Sequence, residues 1–268
     1  MLVKLLYEMK ISVIMGIYNC APYLQEALDS LYAQTFKDFE IILCEDGSTD
    51  NTYEVALENQ KQHPNIVLLR NPRNLGLNQT LNNCLAVAKG EYIARMDGDD
   101  TCAPTRFETE AAFLDEHPEY AIVSVNMNHF DEKGIFRTGH ASGEPRPTDY
   151  PKGVPFNHAP CMVRKEAYDA VGGYTISEKL IRQEDYELWI KMYVRGFRGY
   201  MLDLPLYNMR DDRNAYARRN WKSRRNEAYV KYLACKRLHL PVQYYAYCLK
   251  PIIMYIMPQC LYKKLHNR

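Results

Sequence analysis

At 268 residues the chain suits one large domain or one domain plus an extension, and its 47% hydrophobic content is ordinary for a globular protein with a sizeable core. No stretch approaches the ~20 apolar residues of a spanning helix, and the eight scattered cysteines show no C-x-x-C or zinc spacing. The net charge of +1 conceals an asymmetry: residues 1–209 hold 20 Lys and Arg against 30 Asp and Glu, whereas residues 210–268 hold 14 against 3.

The first ten residues, MLVKLLYEMK, lack a signal-peptide pattern, because Lys4, Glu8 and Lys10 interrupt the apolar run. With cysteines packed in apolar runs, this reads as a protein of a reducing, cytoplasmic compartment. Residues 11–15 (ISVIM) predict a buried strand, and Gly16-Ile17-Tyr18-Asn19 closes it. Pro22 opens a helix over 22–34, with Leu24, Ala27, Leu28 and Leu31 at helical spacing. Residues 39–44 form the second strand. It runs into Glu45-Asp46-Gly47-Ser48-Thr49-Asp50, a strand-end acid, a turn glycine and helix-capping residues in succession.

A helix to about Gln62, a third strand at 66–69, a loop at 71–76 and a helix at 77–88 follow. The fourth strand, 91–96, stops abruptly in Asp97-Gly98-Asp99-Asp100. Strands alternating with helices predict an α/β fold with a mostly parallel sheet flanked by helices. The G-x-G-x-x-G fingerprint of a dinucleotide site is missing.

Carboxylates packed as closely as Asp97, Asp99 and Asp100 repel one another and raise each other's pKa values, a conflict that a hard divalent cation resolves. Open α/β sheets hold ligands at strand carboxyl ends. The expectation is a Mg²⁺ or Mn²⁺ site there, with an acidic surface turn as the alternative. Farther on, the pattern predicts a helix at 104–116, a strand at 121–130, a turn at 131–134, a long proline- and glycine-rich loop over 138–157 and a short strand at 159–163. A helix at 164–171 ends at Gly172-Gly173. Gln183-Glu184-Asp185 opens another helix, where acidic residues suit the helix dipole, and 197–208 is extended.

The stretches ISVIMGIYN, CEDGSTDNT, RNPRNLGLNQTLN, AKGEYIARMDGDD, APCMVRKEAYDAVGGY and QEDYELWIKM, spanning about 11–210, together resemble a family 2 glycosyltransferase of the GT-A fold, of the bacterial capsular, lipooligosaccharide or exopolysaccharide type. The resemblance implies a domain over 1–210 that moves a sugar from a nucleotide-diphosphate donor, uridine-based, with inversion. The acceptor would be a hydroxyl of a growing glycan or a lipid-linked saccharide. It implies that Asp46 reads the base, Tyr18 and Asn19 line the same pocket, and Arg73, Asn74, Gly76 and Asn78 border the nucleotide. Asp97 and Asp99 are the D-x-D pair, with Asp99 the direct metal ligand. The resemblance makes Asp185 the catalytic base, with Glu184 beside it. Two departures stand out: Gly16 where many relatives carry proline, and a post-sheet segment, YNMRDDRNAYARR, without the histidine that often supplies a third metal contact, for which Asp211 or Asp212 could substitute.

A metal ion suits the developing charge on a departing diphosphate, and a carboxylate at a helix start suits removal of a proton from the acceptor hydroxyl. Each residue also has a structural alternative: Asp46 as a helix cap, Glu184-Asp185 as a helix N-terminus, Arg95 as an ion pair rather than a diphosphate contact, His158 as a hydrogen-bonded structural residue rather than a substrate contact. Asp97-Gly98-Asp99-Asp100-Thr101 also fits the D-x-D-x-T pattern of haloacid-dehalogenase-like phosphatases, although the Asp46 and Asp185 stretches would then go unexplained. An inactive sugar-nucleotide-binding protein is the non-enzyme alternative.

Residues 211–268 read as a basic, aromatic helical extension. Tyr216, Arg218, Arg219, Trp221, Lys222, Arg224, Arg225 and Tyr229 precede an apolar stretch at 251–258 and Lys263, Lys264 and Arg268. Cations beside aromatic and aliphatic anchors suit an anionic membrane surface, at the inner face of the cytoplasmic membrane. A helical cover on the sheet domain or a homodimer contact is the alternative. Nucleic acid is not expected, since no reading motif accompanies the basic residues.

Overall fold

The computed structural model describes residues 9–211 and 220–257. Asp212, Tyr216, Arg218, Arg219, Lys263, Lys264, Arg268 and the start of the amino-terminal segment lie outside the described residues. The chain divides into two compact units. The first gathers the described residues of 1–144, 156–174 and 197–212; the second gathers those of 145–155, 175–196 and 213–268. Segments 145–155 and 175–196, which the sequence reading set within a 1–210 domain, thus group with the C-terminal segment.

The first unit is built on one nine-stranded mixed sheet. Its strands are β1 (Met9–Ile17), β2 (Phe39–Glu45), β3 (Ile66–Arg70), β4 (Gly90–Arg95), β5 (Thr101–Cys102), β6 (Ile122–Asp131), β7 (Gly134–Thr138), β8 (Cys161–Arg164) and β9 (Gly199–Arg210). The order is β3-β2-β1-β4-β8-β6-β9-β5, with β7 on β6. β3, β2, β1 and β4 are parallel, as are β6 and β9, while β8 is antiparallel to both β4 and β6. Ile11, Val13, Ile14 and Met15 are fully buried, the pattern of a parallel strand covered on both faces.

The connecting helices are α1 (Ala21–Tyr32), α2 (Thr52–Gln62) and α3 (Leu77–Val87), followed by α4 (Arg106–Glu116) and α5 (Lys165–Val171). α1 buries Leu24, Ala27, Leu28 and Leu31, the stripe that predicted it. Gly16 has a local reason. A Cβ there would lie 3.1 Å from Thr80 Cγ2 and 3.2 Å from Leu77 Cδ1, so α3 packs tightly on the end of β1.

After β1 the chain steps outward through β2 and β3, then returns to place β4 on the other side of β1. That reversal is a topological switch point, where the loops after adjacent strands diverge and leave a crevice at their carboxyl ends. The loops after β1, β2 and β4 carry Tyr18-Asn19, Asp46 and Asp97–Asp100 respectively.

The second unit contains α6 (Glu184–Val194), α7 (Trp221–Arg237) and α8 (Lys250–Ile256), with 3-10 turns at Pro147–Asp149, Glu178–Leu180 and Val242–Cys248. α6 buries Tyr186, Leu188, Trp189, Ile190 and Met192, and α7 buries Val230, Ala234 and Cys235. Arg237 at the end of α7 reaches Glu187 on α6 at 2.6 Å. Asn226 on α7 donates to the carbonyl oxygen of Glu178 at 3.0 Å.

Candidate active site

The loops after β1 and β2 are tied together by the chain's own polar groups. Asn19 adopts a left-handed backbone (φ +48°), a conformation that asparagine tolerates better than most residues. Its Oδ1 accepts from the Thr49 amide at 2.8 Å, and its own amide donates to Ser48 Oγ at 3.0 Å. The Cys20 amide donates to Thr52 Oγ1, and the Ala21 amide to Asp50 Oδ2. Asn19 therefore positions the loop, while Tyr18 beside it is exposed.

Asp46 ties the β2 loop to the next one. It is buried, and three donors converge on its carboxylate: Asn71 Nδ2 at 2.7 Å, the Leu75 amide at 2.8 Å and the Gly76 amide at 2.9 Å. The last two are backbone donors at the entrance to α3, so Asp46 organises the start of that helix rather than of α2. A carboxylate offers about four acceptor positions, so one remains for an incoming donor such as a base N–H. Gly47 permits the close approach. It sits at φ +71°, and a Cβ would lie 2.6 Å from both Arg73 C and Asn74 N. Arg73 and Asn74 are exposed at the rim, and Asn78 is half-buried on the first turn of α3.

The acidic loop after β4 is less uniform than its sequence suggests. Arg95, buried at the strand end, grips both oxygens of Asp97, with Nη1 to Oδ2 at 3.0 Å. Of the two readings of Arg95 open from sequence, the ion pair is the one formed here. Asp100 is buried and accepts from the Arg210 amide at 2.7 Å, while the Asp97 amide donates to the Tyr207 hydroxyl at 3.1 Å. Burial, and then the neighbouring Asp97 and Asp99, push the Asp100 carboxyl up to about 8. Burial and Asp97 likewise raise Asp99. Gly98 brings this loop against the first one, since a Cβ there would lie 2.8 Å from Cys20 Sγ.

Tyr207, Arg210 and Asn71 were not among the expected site residues, and Asp100 was expected only as part of the acidic cluster. Tyr207 and Arg210 lie more than a hundred residues away in sequence and reach the acidic loop only because β9 returns through the sheet. Beneath them, buried Arg106 donates to the carbonyl of Arg95 at 3.0 Å and pairs with buried Glu110 at 3.0 Å. His158 Nε2 lies 2.7 Å from the Tyr174 hydroxyl, and burial and Arg95 hold its pKa well below the usual range. Asp211 Oδ2 lies 3.2 Å from His129 Nδ1; Asp212 is outside the described residues.

Among the described residues, no group of three or more His, Cys, Asp or Glu side chains forms a ready-made metal cage. The donor set nevertheless fits a hard cation. Carboxylates with raised proton affinity are strong oxygen ligands. Mg²⁺ and similar ions characteristically take one or two carboxylates and fill their remaining positions with water and substrate phosphate. Asp97 is engaged by Arg95 and Asp100 by β9, which leaves Asp99 as the carboxylate best suited to a cation.

Asp185 and Glu184 belong to the second unit and open α6. Asp185 Oδ1 accepts from the Tyr186 amide at 2.8 Å, and the side chain lines a cavity of about 380 Å³ within that unit.

Residues 12–172 match the model of the family described as glycosyl transferase family 2. The putative glycosyltransferase EpsE of Bacillus subtilis is 40% identical over 260 residues, covering 97% of this chain and 94% of that protein. WfaP of Escherichia coli, a UDP-Glc:alpha-D-GlcNAc-diphosphoundecaprenol beta-1,3-glucosyltransferase, is 30% identical, covering 70% of this chain and 72% of that protein. Among solved structures, S. aureus TarS 1–349 in complex with UDP-GlcNAc superposes with a TM-score of 0.71 at 22% identity, covering 92% of this chain and 72% of that one. The mannosyltransferase PcManGT of Pyrobaculum calidifontis, in complex with GDP-Man and Mn²⁺, gives 0.63 at 19% identity, covering 91% and 74%. These structural matches place the sheet in the GT-A class of folds, and the family match displaces the phosphatase reading of the acidic loop. The chain is a member of glycosyltransferase family 2.

Proposed function

We propose that the protein transfers a sugar from a uridine-diphosphate donor to a hydroxyl of a growing cell-surface glycan or lipid-linked saccharide, with inversion at the anomeric carbon. The observation that carries this reading is the linkage of the loops after β1, β2 and β3 through Asn19 and Asp46, beside an acidic loop at the switch point. The polysaccharide relatives and the nucleotide-sugar complex of TarS support the donor and acceptor classes.

In this reading Asp46, held by the β3–α3 loop, offers its remaining acceptor position to the base. Arg73, Asn74 and Asn78 border the nucleotide from the rim. Asp99, aided by Asp97, would hold Mn²⁺ or Mg²⁺, whose charge offsets that developing on the departing diphosphate. Asp185, with Glu184 beside it, takes the proton from the acceptor hydroxyl, a contribution of about 10²–10⁴ in rate.

We further propose attachment at an anionic membrane face. No helix among the described residues is long and apolar enough to cross a membrane. However, Leu249, Ile253 and Ile256, at i, i+4 and i+7, are 60%, 56% and 73% exposed beside Lys250.

The decisive experiment is donor turnover by the purified chain with Mn²⁺ and UDP-sugars, in wild type and Asp185→Asn. Asp185→Asn should keep its UDP affinity and lose transfer by at least about a hundredfold. Near-normal turnover would remove Asp185 as the base. UDP binding without transfer or hydrolysis on any acceptor would instead mark an inactive binding protein.

A further inference from the structure

The cavity in the second unit has a charge pattern that the reading above does not use. Asp185 and Tyr186 line it from α6, Arg182 from the segment before α6, Lys231 and Glu227 from α7, and Lys152 from the 145–155 segment. Its volume of about 380 Å³ lies within the range of small-ligand sites, and its walls are mostly polar.

Two groups in its wall are incompletely satisfied among the described residues. Lys231 is 2% exposed, and among the described residues its ammonium, which carries three donors, makes one hydrogen bond, to the carbonyl of Pro151 at 2.8 Å, and stands 5.7 Å over the Tyr186 ring. No ion pair within the described residues engages it. Glu227, on the same helix, pairs with Arg224 at 3.2 Å. The phenol oxygen of Tyr186 is buried and has no hydrogen-bond partner among the described residues. Leaving a buried polar group unpaired is costly, and more so if it is charged. A ligand entering the cavity would complete both. Arg182 stands at the rim in a left-handed backbone (φ +64°), strain of the kind that collects at ligand clamps. Its guanidinium is exposed and forms no ion pair among the described residues. Lys152, the third cation, is paired with Asp149 at 2.7 Å.

We propose that this cavity is the acceptor subsite and that it selects an acceptor sugar bearing an anionic group, which Arg182 and Lys231 hold while Tyr186 donates a hydrogen bond to it. This rests on the reading of Asp185 as the base, which places the acceptor hydroxyl at the same wall. A sugar phosphate and a uronic acid share the required chemistry, an oxyanion fixed to the acceptor ring.

The test is ligand-observed NMR titration of the full chain, without divalent cation, using a hexose 1-phosphate, a hexuronic acid and a neutral methyl hexoside. One of the two anionic probes should bind at least tenfold more tightly than the neutral one, and which of them does so identifies the source of the charge. Arg182→Ala and Lys231→Gln should each weaken that probe at least tenfold while UDP affinity stays unchanged. Arg182 is exposed, so its variant stays informative even if Lys231→Gln fails to fold. Equal affinity for all three probes, or unchanged anion binding in Arg182→Ala, would overturn the proposal. Asp185→Asn separates the two readings. It removes a negative charge from the same wall and should bind the anionic probe at least as tightly as wild type, so a failure of the base assignment shows in retained turnover and a failure of the subsite in lost binding preference.

Discussion

Arg95 closes on Asp97 with two N–H···O contacts, so the first carboxylate of the acidic loop is neutralised by the very strand that delivers it. The two aspartates of the D-x-D pair therefore have different physical lives. Asp97→Asn strands a buried guanidinium. Asp97 is about a third exposed, so the loss sits at the low end for a broken buried pair, about 2–3 kcal/mol. Asp99→Asn removes a repelling charge and should leave stability unchanged or slightly raised, yet abolish Mn²⁺-dependent UDP affinity. Thermal melting with calorimetric titration of UDP and Mn²⁺ measures both. Unchanged UDP affinity in Asp99→Asn would remove its ligand role.

Asp46→Asn should destabilise the fold as well as weaken donor binding. Oδ1 and Oδ2 each accept at least one N–H, so either orientation of the asparagine amide sets an NH₂ against a donor. The cost is about 1–3 kcal/mol, or a fall in Tm of roughly 3–10 °C. An unchanged melting curve would show that the three hydrogen bonds carry little net energy.

The acidic loop should give metal-free protein a pH-dependent stability. The Asp100 pKa is raised in the folded chain, to about 8, from an ordinary aspartate value when unfolded. Between those values the folded state holds more protons than the unfolded one, so stability falls as pH rises. A cation held in the loop should supply the missing charge. Mn²⁺ should therefore raise Tm more at pH 8 than at pH 6. Melting curves at both pH values, with EDTA and with Mn²⁺, test this; equal Mn²⁺ shifts would count against a cation in this loop.

Replacing Leu249, Ile253 and Ile256 with serine should lower co-sedimentation with anionic vesicles by more than about tenfold, since these side chains are exposed and their burial in lipid is the apolar part of the attraction. Wild-type binding should also weaken with salt. Equal binding by both proteins would exclude α8 as the contact.

The first half of the fold was legible because its local signals agree. The stripe Leu24, Ala27, Leu28, Leu31 predicted α1, and the run Ile11–Met15, apolar except at Ser12, predicted a buried strand. The antiparallel insertion of β8 between β4 and β6 was not readable, nor were the two-residue β5 and the short β7. Their pairing depends on partners far away in sequence. The same holds at the site. Asp46, Asp97 and Asp99 follow strand ends and announce themselves, whereas Tyr207 and Arg210 sit in an extended stretch with no motif. The compact units are not readable as a single boundary either, because segments 145–155 and 175–196 leave the first unit and the chain re-enters it after each.

Because Asp46 anchors the entrance to α3, the surface that we propose meets the nucleobase is finished before any donor arrives. Retuning base preference by changing Asp46 would disturb the scaffold along with the specificity. The solvent-facing Arg73 and Asn74 carry no such structural duty among the described residues, which, in the proposed reading, makes them the positions where donor choice can drift, or be engineered, without unmaking the sheet beneath.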